Sequence, residues 1–199
     1  RAGSSTSTTM ASGVSILTHY STRFATQFCS TATTFYPTAG TNLGTLDAAV
    51  AVNGNYVLAD SQVSSVGILA WATNGGAGYY LYSDAISTNF PTFAGDTHSN
   101  TVIAGIASTT GLYPGQAISG TGIQANTRIA TITSATAITT TIATTASASI
   151  TITKEAIAKV IDADFPSSVN SVAAMNGRFF WGSPNGRITQ SAINDPSAY

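Results

Sequence analysis

Ala48-Ala49-Val50-Ala51-Val52, Asn53-Gly54 and Asn55-Tyr56-Val57-Leu58-Ala59 are followed by Gly67-Ile68-Leu69-Ala70-Trp71-Ala72, Asn74-Gly75-Gly76 and Gly78-Tyr79-Tyr80-Leu81-Tyr82. Short apolar runs alternate here with turn residues. Both central positions of a type I′ turn need positive φ, which Asn and Gly tolerate, so Asn-Gly between apolar runs signals a β-hairpin. The stretch from Leu46 to Tyr82 therefore predicts a four-stranded antiparallel meander. Ser171 to Met175, Asn176-Gly177, Arg178 to Trp181, Pro184-Asn185-Gly186 and Arg187 to Ile193 repeat the same grammar near the other end.

Val52-Asn53-Gly54-Asn55-Tyr56-Val57 and Met175-Asn176-Gly177-Arg178-Phe179-Phe180 agree in residue type at most places, as two copies of one unit would. Repeated meanders of this size are expected of propeller blades. Between them, residues 97–153 change composition to a Thr/Ile/Ala alternation. Thr101 to Ile106, Ala117-Ile118, Thr127 to Thr133, Ala137 to Ile142 and Ser149 to Thr153 read as strands, with Ile150 and Ile152 on one face and hydroxyls on the other. Pro114-Gly115 and Gly120-Thr121-Gly122 supply turns. The fold class expected is thus all-β: antiparallel meanders of β-propeller-blade type over 1–96 and 154–199, a partial propeller, with a small β-sandwich inserted at 97–153.

The ends of this pattern are ambiguous. Ile16, Tyr20, Phe24 and Phe28 recur at the spacing of a helical face, yet the intervening Ser and Thr form helices poorly. Strands fit equally well. Arg1 to Thr9 reads as an arm, and Lys154 to Ile161 as a short helix or an extended link.

Composition narrows the function. Only 8% of the 199 residues are charged, and 7 Lys+Arg against 8 Asp+Glu leave a net charge of -1, where an ordinary domain carries roughly 25% charged residues. The basic residues are scattered, so no duplex-gripping patch exists to release counterions. The single cysteine, Cys29, can close no intrachain disulfide, and no apolar run approaches the roughly 18 residues of a membrane span. A nearly neutral, hydroxyl-rich surface is poorly protected against association. Such a chain is expected inside a permanent assembly, with an extracellular β protein as the alternative.

Val160-Ile161-Asp162-Ala163-Asp164-Phe165-Pro166, then Val172 to Phe180, then Ser191-Ala192-Ile193-Asn194-Asp195-Pro196-Ser197-Ala198-Tyr199 resemble the packaged-DNA stabilisation or tail-nozzle proteins of short-tailed phages. Gly105-Ile106, Gly111 to Ile123 and Thr151-Ile152-Thr153 resemble a small β module found in phage virion proteins. The resemblance implies a propeller subunit in a ring below the portal, in the virion tail or neck, which helps retain and deliver packaged DNA. Its implied partners are further copies of the chain and other tail or portal proteins, with DNA passing non-specifically. In that family the Asn-Asp-Pro segment sits mid-chain, whereas here the sequence stops at Tyr199. Without 97–153 there is chain for only about three blades of 40–45 residues, so a fragment, or a subunit completed by its neighbour, is expected.

Residues for catalysis are sparse. His19 and His98 read as surface or structural residues, and Asp96-Thr97-His98 and Asp162-Ala163-Asp164 as turns or links before metal ligands. Gly75-Gly76-Ala77-Gly78 is too short for a dinucleotide fingerprint, and no nucleophile elbow, phosphate loop or zinc-protease motif is present. Neither enzyme activity, cofactor, metal, membrane nor small-molecule substrate is expected. Trp71, Tyr79, Tyr80 and Tyr82, and separately Phe179, Phe180 and Trp181, are candidate interface anchors or sugar-stacking residues. Adjacent ones must face opposite ways on a strand, which puts about half in a core. The rival functions are a glycan- or receptor-binding module of a tail fibre or adhesin, which would use those aromatics or the insert, and a tail-associated hydrolase.

Overall fold

The computed structural model describes residues 17–21, 26–30, 34–37, 43–46, 57–63, 66–72, 76–86 and 91–199. These residues form antiparallel β-structure with one 3-10 turn at Ser83–Ala85. One sheet pairs β1 (Leu17–Ser21), β2 (Thr26–Ser30), β3 (Thr34–Pro37) and β4 (Gly44–Thr45) in sequence order. Tyr20 and Phe28 accordingly lie on strands, and the helical reading of this region is not realised there. The expected strand Ala48 to Val52, the turns Asn53-Gly54 and Asn74-Gly75, and the Arg1 to Thr9 arm lie outside the described residues.

β5 (Val57–Val63), β6 (Val66–Ala72) and β7 (Gly78–Tyr82) form three strands of the expected four-stranded meander, with Trp71 opposite Tyr79 and Ala70 opposite Tyr80. β5 runs beyond the predicted end at Ala59, and its pairing with β6 continues to Val63 opposite Val66. Polar Asp60-Ser61-Gln62 conceals that extension. β6 is buried on both faces, as a continuous apolar run requires. Leu69, Trp71, Tyr79 and Leu81 pack on one face with Leu43, Leu46, Ala156 and Ile157. Ile68, Ala70 and Tyr80 pack on the other with Val169, Val172, Phe179 and Trp181.

That second cover comes from β14 (Ser171–Met175), β15 (Arg178–Gly182) and β16 (Ile188–Gln190). Met175 pairs with Arg178, and Asn176 and Gly177 have φ of 51° and 73°, the expected type I′ turn. The second Asn-Gly behaves differently. Pro184 presets the first corner of a Ser183-Pro184-Asn185-Gly186 turn, and the Gly186 N–H donates to the Ser183 carbonyl at 2.9 Å.

Residues 92–159 add β8 (Thr92–His98), β9 (Val102–Ala104), β10 (Gln116–Ser119), β11 (Ile129–Ser134), β12 (Ala137–Thr140) and β13 (Ser147–Lys159). Thr153 has Thr92 on one side and Ser119 on the other, and Ala158 likewise has Tyr80 and Gln116. β10 therefore follows one edge of β13, while β8 and β7 occupy successive stretches of the other. The segment Lys154 to Ile161, expected as a short helix or an extended link, continues this strand as far as Lys159. Ala117 bridges Arg128, and the Gly115 N–H donates to the Ile129 carbonyl at 2.7 Å. The strands thereby close around Ile103, Ile106, Leu112, Ile118, Ile129, Ile138 and Ile152. Residues 97 and 153 both fall inside strands rather than between them.

The crossing of the two regions depends on Gly115. Its φ is +82°, and a Cβ there would run into the Lys159 carbonyl, while its own carbonyl accepts from the Lys159 N–H at 3.1 Å. Gly115→Ala is expected to cost about 2–3 kcal/mol, from left-handed backbone strain plus the backbone clash. A denaturant titration checks this as a lowered midpoint at unchanged slope.

Candidate functional site

Of the seven aromatic candidates, Trp71, Tyr79, Tyr80, Phe179 and Trp181 are at most 1% exposed. Tyr79 and Tyr80 do face opposite ways, but the sheet is covered on both sides, so both are core residues. Trp71 stacks on Tyr79 with centroids 5.6 Å apart. A buried ring face cannot stack on a sugar or meet a partner, which corrects the interface role for these five. Only Tyr82 and Phe180 remain half-buried.

The other candidates have local roles. Asp96 and His98 lie on β8, not in a loop; between them Thr97 points inward and its hydroxyl donates to the Ala146 carbonyl at 2.7 Å. Asp162 accepts the Asp164 N–H at 2.8 Å through one oxygen and the Tyr199 N–H at 3.1 Å through the other. It holds a turn and ties down the C-terminal segment. His19 lies on β1. Among the described residues no three His, Cys, Asp or Glu gather as a metal site, and no helix is long and apolar enough to cross a membrane.

The residues that do gather are those carrying the family resemblance. Phe165 sits edge-on to Trp181 at 5.2 Å and to Tyr199 at 4.8 Å. Arg178 donates through Nη1 to the Ser191 carbonyl at 2.8 Å, and the Phe179 N–H donates to Ser191 Oγ at 3.0 Å. The Asn194 N–H reaches the Gly177 carbonyl at 2.6 Å. Residues 191–199 form a strap, closed by the Ala192 N–H to the Ala198 carbonyl at 2.8 Å and by Asp195 accepting from the Ser197 N–H at 2.9 Å. Three neighbouring stretches of residues 160–199 thus build one unit.

Beside the strap lies a tyrosine cluster that the sequence reading did not identify. Tyr82 and Tyr113 stack with centroids 4.0 Å apart, and the Tyr113 hydroxyl donates to Asp84 at 2.7 Å. The Tyr80 hydroxyl donates to the Pro114 carbonyl, and that of Tyr199 to the Pro196 carbonyl at 3.0 Å. Burial is the first cause that raises all four phenols above their ordinary value, with nearby carboxylates adding to the effect. Burial also lowers the Lys154 ammonium, which donates to the Ala85 carbonyl at 3.4 Å. These phenols stay neutral donors at physiological pH, and the bonds of Tyr80 and Tyr199 hold backbone carbonyls in place.

The outer surface of the β14–β16 sheet and its strap is unusual in another way. Met175 and Ile193 are each 60% exposed and Ile188 is 72% exposed. A Cβ placed on Gly177 would lie 3.6 Å from Ile193, so Ile193 borders the turn that Met175 enters. Sequence periodicity gave no sign of these, because each sits at a strand end or in a turn. No family model, curated protein or solved structure matches the chain.

Proposed function

We propose that the protein is a non-enzymatic structural component of a phage tail or neck, which assembles with copies of itself and other virion proteins into a ring and helps retain and deliver packaged DNA. The observation that supports this reading is the union of the three family-like segments: Val160 to Pro166, Val172 to Phe180 and Ser191 to Tyr199 pack into one unit through Asp162, Phe165 and Ser191. In this reading the β5–β7 and β14–β16 meanders, stacked face to face, are blade-like pieces of a partial propeller, and the ring of strands around Ile103 and Ile152 is its inserted module.

Met175, Ile188 and Ile193 are then contact residues between copies, since burying exposed apolar surface drives association. Met175→Lys with Ile193→Lys in the full chain is expected to shift the protein from assemblies toward single subunits without changing its unfolding midpoint. Light scattering after size-exclusion chromatography reads the shift. An unaltered distribution in the double variant removes these residues from the interface, and a wild-type protein that is already monomeric contradicts the assembly reading itself.

A further inference from the structure

The loop after β13 and the β15–β16 turn enclose an open groove of roughly 390 Å³, lined by Pro166, Ser167, Ser183, Pro184, Asn185 and Arg187, with no acidic residue in its lining. This volume falls within the size class of small-ligand sites, about 300–1,000 Å³. The only charge in its lining is the positive one of Arg187. Arg128 and Arg178 donate to carbonyls at 2.8 Å, yet the Arg187 guanidinium has no protein partner among the described residues. Asn185 uses its Oδ1 to accept the Arg187 N–H at 3.1 Å, which leaves its amide hydrogens available. Ser183 is 8% exposed, and its Oγ is buried with no hydrogen-bond partner.

A guanidinium and an amide, without a carboxylate, match the acceptor oxygens of an anion. Prolines on both walls and room beyond one anion suit an attached organic body. We propose that this groove binds a phosphate ester, either a free nucleotide or one unit of a nucleic-acid backbone. The site is independent of the assembly proposed above, because none of the exposed apolar contact residues lines it.

The test is calorimetric titration of the full chain with thymidine monophosphate and, separately, a short oligothymidylate. Saturable binding, weakened at least tenfold by Arg187→Gln and less by Arg187→Lys, is expected. Asn185→Asp keeps the acceptor that holds the turn but places a negative charge in the groove, so it is expected to abolish binding while leaving the unfolding midpoint in place. If the backbone is the source, the oligonucleotide binds tighter than the monophosphate, with a log-log salt slope of about -0.7 for a single contact. If the two bind equally, a free ester is the ligand. Absence of saturation with either probe, or binding indifferent to Arg187→Gln and Asn185→Asp, overturns the proposal.

Discussion

Trp181→Ala is expected to destabilise the protein by about 3–5 kcal/mol, the cost of truncating a fully buried aromatic and leaving a cavity. Trp181 is 0% exposed, lies in the cluster between the β5–β7 and β14–β16 sheets, and carries Phe165 on its edge. Its removal loosens the inter-sheet core and the seat of Phe165 and Tyr199 together. Phe180, next in the chain, faces the other way and is only half-buried, so Phe180→Ala is expected to cost about 1 kcal/mol or less beyond lost contact area. Denaturant unfolding of the two variants measures the contrast. Equal losses would mean that the β15 faces are not distinguished by burial in the way described.

Alkaline unfolding is expected to be steep. Tyr80, Tyr82, Tyr113 and Tyr199 all have raised values relative to 10.0, the ordinary phenol value. Below that pH both folded and unfolded chains hold these protons, and the stability the phenols contribute is fully present. Above it the unfolded chain releases protons that the folded chain keeps, so stability falls as pH rises, until the folded phenols themselves ionise. Each well-buried phenol contributes about 1.4 kcal/mol per pH unit in that window. Tyr80 and Tyr199 together thus remove about 3 kcal/mol per unit, while the more exposed Tyr82 and Tyr113 add less because solvent screens them. The expected signature is coincident phenolate absorbance and loss of β-sheet circular dichroism, starting above pH 10. Tyr80→Phe should flatten the slope. Gradual phenolate formation without unfolding would show that the cluster is open to solvent.

Local turn chemistry was the most legible part of the sequence. Asn176-Gly177 forms the turn its residues demand, β7 keeps the boundaries read from its apolar run, and β6 begins one residue before the expected Gly67. The long strand β13 was harder to read because Lys154 and Glu155 interrupt its alternation. Lys154 is nonetheless 7% exposed, its ammonium satisfied at the Ala85 carbonyl, and Glu155 accepts the Thr45 N–H at 3.0 Å. Charges with specific partners mimic a link when only the period is visible. β8 was missed for a related reason, since its inward positions include Gly95 and Thr97, the latter satisfied by carbonyls.

The aromatic candidates show the opposite limit. Strand alternation correctly separates Tyr79 from Tyr80, but it cannot say what lies beyond each face. Val172, Phe179 and Trp181, about 100 residues further on, cover the side that alternation would leave to solvent. The tyrosine cluster was illegible for the same cause. Tyr113 meets Asp84 and Tyr82 through chain crossings set by β10 and β13, and no local spacing records that meeting.

Sedimentation velocity on the purified wild-type chain across a wide concentration range decides whether this is a building block. Discrete assemblies of many subunits, persisting on dilution to low micromolar concentration, are the expected result. A single species at the mass of one chain, unchanged up to millimolar concentration, would contradict it.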